Sequence, residues 1–219
     1  ATIDTDAGAQ TLVLTLNDTA GTGQVTFANG AAVSHTGTIV AAANTEGKVL
    51  VAVGTGAVGD LQTFTSTIGA AGTAVGEVAV GTSTLAGNAD FEGAVVATAF
   101  NIVGGDHTSE NTHVDIGAAL TATDITLTTA SVGDAEINVT GAVTVTGAIQ
   151  GAGAGAGDTI LDIDNDVTFA SAVGTTTAID KLEQIDAKTS TFQGDVAITT
   201  VTLTDGGAVT FDKAGAQTF

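Results

Sequence analysis

Apolar and polar residues alternate at period two along much of the chain. Thr11 to Leu16, Asp124 to Thr128 and Ile137 to Thr140 carry the pattern, and the pairs Val143/Val145, Val167/Phe169, Val196/Ile198, Val201/Leu203 and Val209/Phe211 repeat it. Such alternation sends apolar side chains to one face of a strand and Thr, Asn or Asp to the other. Turns fall at Gly, Asn and Asp, which supply the backbone conformations that tight turns need. Only Ala178 to Lys188 is ambiguous. Ile179, Leu182 and Ile185 could share a helical face, but a strand or short turn with Leu182 as its inward anchor is the preferred reading.

A short phrase recurs: a turn residue, one further residue, then a valine that opens the alternation. It stands at Gly23/Val25, Gly47/Val49, Gly76/Val78 and Gly93/Val95, and again at Gly141/Val143, Asn165/Val167, Gly194/Val196 and Gly207/Val209. The successive valines are 24, 29 and 17 residues apart in the first group and 24, 29 and 13 in the second. Residues 1–219 therefore read as a single elongated β domain, with two divergent repeats, about 1–118 and 119–219, as a finer division. Steps of this size suit the coils of a β-solenoid, each burying its apolar face against the next. The same strands also fit a β-sandwich of one or two Ig-like or jelly-roll units. Ala7 to Leu12 is echoed by Ala214 to Phe219, which marks Gln10, Thr11, Leu12 and Gln217, Thr218, Phe219 as candidate assembly junctions.

Composition favours the solenoid. Among 219 residues there are eight Phe and no Trp, Tyr, Pro, Cys, Met or Arg. A core of Val, Ile, Leu and Ala fills only the narrow space between closely spaced strands. Lacking even an initiator Met, the chain reads as a processed product or an excised segment. No signal peptide is visible at Ala1 to Asp6, and no apolar run is long enough for a membrane-spanning helix.

A formal net charge of −20 argues against nucleic acid and anionic membranes as partners. It leaves solubility in salt or the binding of divalent cations. Asp162, Asp164 and Asp166, with Asp158 just before them, would line one strand face as a row of repelling carboxylates. Ca²⁺ would relieve that repulsion; otherwise the row is a solvated edge that resists aggregation. Spacing matches neither an EF-hand nor the glycine-rich calcium nonapeptide. Asp106, His107, Glu110, His113 and Asp115 form the one imidazole-bearing cluster, read as a polar surface loop with a metal or partner contact as the sharper alternative. Catalysis finds no footing: no serine stands in a Gly-x-Ser-x-Gly turn, and the Gly-Ala tract at 151–157 lacks the Lys and helix of a phosphate loop. The expectation is a non-enzyme.

Asp158 to Gly174, Phe192 to Ile198, Gly207 to Phe211 and Ala214 to Phe219 resemble the repeats of giant Gram-negative β-strand-repeat surface proteins. These are similar to filamentous haemagglutinins and some autotransporter passengers. The resemblance covers about 140–219. It implies an exported, extracellular structural or adhesive protein of the bacterial surface that associates with copies of itself, or with neighbouring repeats, into a filament, fibre or S-layer. The alternative is a calcium-dependent module that binds carbohydrate or another ligand, such as surface glycans, within a larger adhesin.

Overall fold

Every strand pairs in parallel with a strand about one coil away, so the chain winds as a solenoid. The computed structural model describes residues 2–3, 10–11, 13–16, 23–28, 30–53, 60–106, 111–130 and 132–214. The first strands are β1 (Thr2–Ile3), β2 (Gln10–Thr11), β3 (Leu14–Leu16), β4 (Gln24–Phe27), β5 (Val33–Thr36), β6 (Ile39–Ala41) and β7 (Glu46–Val51). There follow β8 (Gln62–Phe64), β9 (Val75–Val80), β10 (Asn88–Phe91), β11 (Val95–Gly104), β12 (Thr112–Ile116), β13 (Leu120–Thr129) and β14 (Ala135–Val139). The last are β15 (Val143–Gly153), β16 (Thr159–Ile163), β17 (Val167–Phe169), β18 (Ile179–Gln184), β19 (Thr189–Phe192), β20 (Ile198–Leu203) and β21 (Ala208–Phe211). The described residues contain no α-helix, and the segment that left helix and strand open is the strand β18.

Register resolves the coil into three faces. One carries β2, β5, β8, β10, β12, β14, β16, β18 and β20 as a nine-stranded sheet. A second runs through Val25, Val49, Val78, Phe100, Ile125 and Ile149, and bridges onward to Val173 and Val196. The third begins with β3 and β6, passes through Ile68 and Val95, and continues as Leu120, Val145, Phe169, Phe192 and Phe211. The long strands β11, β13 and β15 turn the corner between the second and third faces without breaking. The register shift between Thr121 and Asp124, and Gly147 at φ 138°, mark that corner.

These inward columns are the core. Alternation delivers them: Val25 and Phe27, Val49 and Val51, Val78 and Val80, and Ile125 and Leu127 are buried at every second position. Aromatic rings add two short stacks, Phe64 on Phe91 and Phe169 on Phe192. Residues 118 and 119 lie in the turn between β12 and β13, and Leu120 in β13 pairs with Val95 in β11.

The recurring Gly-x-Val phrase does not mark one face. Val25, Val49 and Val78 lie on the second face, whereas Val143, Val167 and Val209 lie on the third. Val25 and Val143, 118 residues apart, thus lie on different faces, whereas Val78 and Val196, with the same offset, share the second. The phrase marks where a strand leaves a turn.

Candidate functional site

The outer side of the nine-stranded sheet gathers most of the chemistry. Parallel register sets Thr63, Asp90, Asp115, Asn138, Asp162, Glu183 and Thr202 side by side in one column. A neighbouring column holds Asn88, His113, Glu136, Ile160 and Lys181. Adjacent parallel strands lie ~4.8 Å apart, so the carboxylates of the first column are forced into proximity.

His113 is the cationic centre of this surface. Its Nε2 lies 3.0 Å from Asp115 Oδ1 and its Nδ1 lies 3.3 Å from Glu136 Oε1. Hydrogen bonding to Asp115 and then to Glu136 outweighs burial and pushes the imidazole up to about 10. As an imidazolium it donates through both nitrogens. Asp115 Oδ1 also accepts from Asn138 Nδ2 at 3.1 Å, and the same amide nitrogen donates to Asp164 Oδ2 at 3.0 Å. Asn138 therefore clips two carboxylates to one amide.

The remaining acids are less well compensated. Burial, followed by the Asp164, Glu136 and Glu183 charges, raises Asp162 to about 6. Burial, with Asp115 and Glu92 behind it, raises Asp90 to about 6 as well. Three acceptor oxygens are sealed from solvent and have no hydrogen-bond partner: Asn138 Oδ1, Asp162 Oδ1 and Asp164 Oδ1.

The four aspartates singled out in the sequence part company here. Asp158 pairs with Lys181 at 2.6 Å, and Asp166 Oδ1 accepts the Thr189 N–H at 2.8 Å. Strand β16 ends at Ile163 and the chain bends, so Asp162, Asp164 and Asp166 do not form a row on one strand. Asp162 and Asp164 stay together beside Asn138. Of the imidazole-bearing cluster, His113 and Asp115 meet on β12, while exposed Asp106 lies beyond the far end of β11. His107 and Glu110 lie outside the described residues, as do Leu12, Gln217, Thr218 and Phe219. Gln10 and Thr11 form β2 and pair with His35 and Thr36.

Asp90, Glu136, Asn138 and Glu183 belong to this surface and no local motif announces them. Their signal is spacing by one coil, which becomes readable once the register is known. Among the described residues, no group of three or more His, Cys, Asp or Glu side chains converges as it would around a metal ion.

Polar groups also enter the core. His35 is buried between Phe27 and Phe64, and its Nε2 lies 3.0 Å from Gln62 Oε1. An amide oxygen only accepts, so Nε2 carries the proton. Burial, against the opposing hydrogen bond of Gln62, lowers the affinity of this imidazole for a second proton.

No family model matches the chain, and no curated protein or solved structure matches it.

Proposed function

We propose that this chain is a structural, self-associating protein of a bacterial surface, in which the first coil of one copy stacks on the last coil of another. One observation carries the reading: the last described coil leaves an apolar end open. Among the described residues, strands β20 and β21 are terminal in their sheets, each hydrogen-bonded to a strand on one side only. Their residues are largely exposed, with Val201 at 50%, Leu203 at 45% and Phe211 at 45%. An apolar cavity of about 240 Å³ opens there, lined by Leu182, Phe192, Ile198, Val201, Val209 and Phe211.

Such an edge asks for a particular occupant. It offers unpaired backbone N–H and C=O groups, which a parallel strand satisfies, and inward columns that continue only under an apolar residue at alternate positions. A further coil of this same pattern meets both demands. Among the described residues β1, β2 and β3 are likewise paired on one side only, so head-to-tail stacking of these two surfaces would not close on itself. The product would be a filament. Its high negative charge keeps separate filaments apart laterally and favours growth as ionic strength rises. The function is mechanical and cohesive rather than catalytic, and placement outside the cell follows from the resemblance to surface-protein repeats.

Analytical ultracentrifugation and electron microscopy test this across a concentration series in moderate salt. The expected result is concentration-dependent growth of unbranched fibres, suppressed by Val201→Lys together with Phe211→Asp. Wild-type protein that stays a monodisperse monomer throughout overturns the reading.

A further inference from the structure

We propose that Asn138, Asp162 and Asp164 form a binding site for one divalent cation, best suited to calcium, on the outer side of the nine-stranded sheet. The site goes beyond the stacking reading and does not depend on it.

An amide anchors the site. Asn138 is 8% exposed, and both protons on its Nδ2 are committed, one to Asp115 and one to Asp164. That commitment fixes which end of the amide is oxygen: turning it over would set an acceptor against two carboxylates. Asn138 Oδ1 is therefore held in place, closed from solvent and without a donor. A buried carbonyl oxygen left this way is costly unless something positive meets it.

Its surroundings are rich in acceptors, although the Ile163 backbone N–H hydrogen-bonds the Asp162 carboxylate. Asp162 is the register partner of Asn138 on β16, and Asp164 touches the same amide through Oδ2. Each presents an Oδ1 that is also sealed and unpartnered. The cationic side chains nearby are engaged elsewhere: His113 with Asp115 and Glu136, Lys181 with Asp158. Neither Asp162 nor Asp164 has an ion-pair partner among the described residues, and Glu183 adds a further negative charge beside Asp162.

Two carboxylate oxygens and an amide oxygen are hard donors, with neither sulfur nor imidazole among them. That set selects Ca²⁺ or Mg²⁺ over zinc or copper. Calcium accepts irregular geometry and completes its shell with water, whereas magnesium demands a near-octahedral set. A strand position, its register neighbour and a turn residue make an irregular set, so calcium is favoured.

Isothermal titration calorimetry of calcium into chelator-treated protein tests the site, in physiological salt at neutral pH and at concentrations where the protein is monomeric. The expected result is one calcium per chain, with binding lost in Asp162→Asn and in Asp164→Asn. Asp124→Asn removes the same charge from another face and should bind as the wild type does. Circular dichroism checks that each variant is folded, and the wild-type titration stands without them. Absence of saturable calcium binding to the wild type overturns the proposal. So does binding that survives both site variants, or an equal loss in Asp124→Asn. Thermal unfolding gives a second reading: a shift reproduced in full by sodium chloride at matched ionic strength means screening alone and also overturns it. Fibre growth is scored separately, so failure of the site leaves the stacking reading standing, and failure of stacking leaves the site standing.

Discussion

Phe192 lies over Phe169 with ring centroids 4.9 Å apart and planes 17° from parallel. Phe211 continues the column at 5.8 Å and 27°. The first two rings are fully buried, while Phe211 is half exposed at the open end. Phe192→Ala should cost about 3–5 kcal/mol, measured by denaturant unfolding of the monomer. Phe211→Ala should cost much less in that assay and should instead weaken fibre growth. Equal monomer destabilisation by the two variants would contradict the open end.

Gln184 secures a corner from inside. Its Nε2 donates to the carbonyls of Lys188 and Ala208, and its Oε1 accepts from the Ser190 hydroxyl. Removing the amide strands buried partners around it. Gln184→Ala should destabilise by about 1–3 kcal/mol for each group left without a partner. Ser190→Ala should be milder, since Gln184 keeps its two carbonyl contacts; chemical denaturation compares the pair.

Two glycines close single-residue rungs in the same way. Gly69 follows Ile68 with φ 70°, Gly174 follows Val173 with φ 74°, and a Cβ on either would come within 2.0 Å of a backbone oxygen. Gly174→Ala should lose at least about 1–2 kcal/mol for the left-handed conformation alone, with the overlap adding to it. Gly72→Ala is the control: it shares a positive φ but meets nothing within 4 Å. The difference in melting temperature between the two variants reads the overlap.

The acid ladder predicts a signed pH profile in calcium-free solution. Folding raises His113 from 6.5 to about 10, so its stabilisation is complete below 6.5 and is lost as pH rises towards 10. Folding raises Asp162 from 3.8 to about 6, so the folded state holds that proton more tightly. Stability should therefore increase as pH falls from 6 towards 3.8. His35, lowered on folding, opposes this gain below 6.5. Asp90, raised likewise to about 6, adds to the acid-side gain; urea midpoints across the range should show Asp162→Asn reducing that gain and His113→Gln removing the alkaline-side loss.

Much of the architecture is legible in the residues, because alternation at Val143/Val145 or Val167/Phe169 is a local property of a half-buried strand. The solenoid follows from steps near one coil in length, and Leu182 settles β18 as a strand by pointing inward beside Leu161 and Val201. Pairing of distant strands is what the sequence hides. Asp162, Asp164 and Asp166 look alike at i, i+2, i+4, yet Asn165 turns the chain, and the partner of Asp162 is Asn138, a full coil away. His113 reads as a loop residue until β14 brings Glu136 against it. Register is a non-local quantity, set by corner lengths that vary from one coil to the next.

The parallel ladder also governs how the molecule responds to force. Hydrogen bonds between rungs point along the stacking axis, and each rung holds only its two neighbours. Tension applied along that axis loads the rungs in series, so the weakest one yields first and pays out its length while the rest stay wound. With coils as unequal as the step from Val49 to Val78 and that from Leu182 to Val201, the released lengths differ along the rod. A tether built this way yields in unequal increments and spreads a pull over many small failures instead of one.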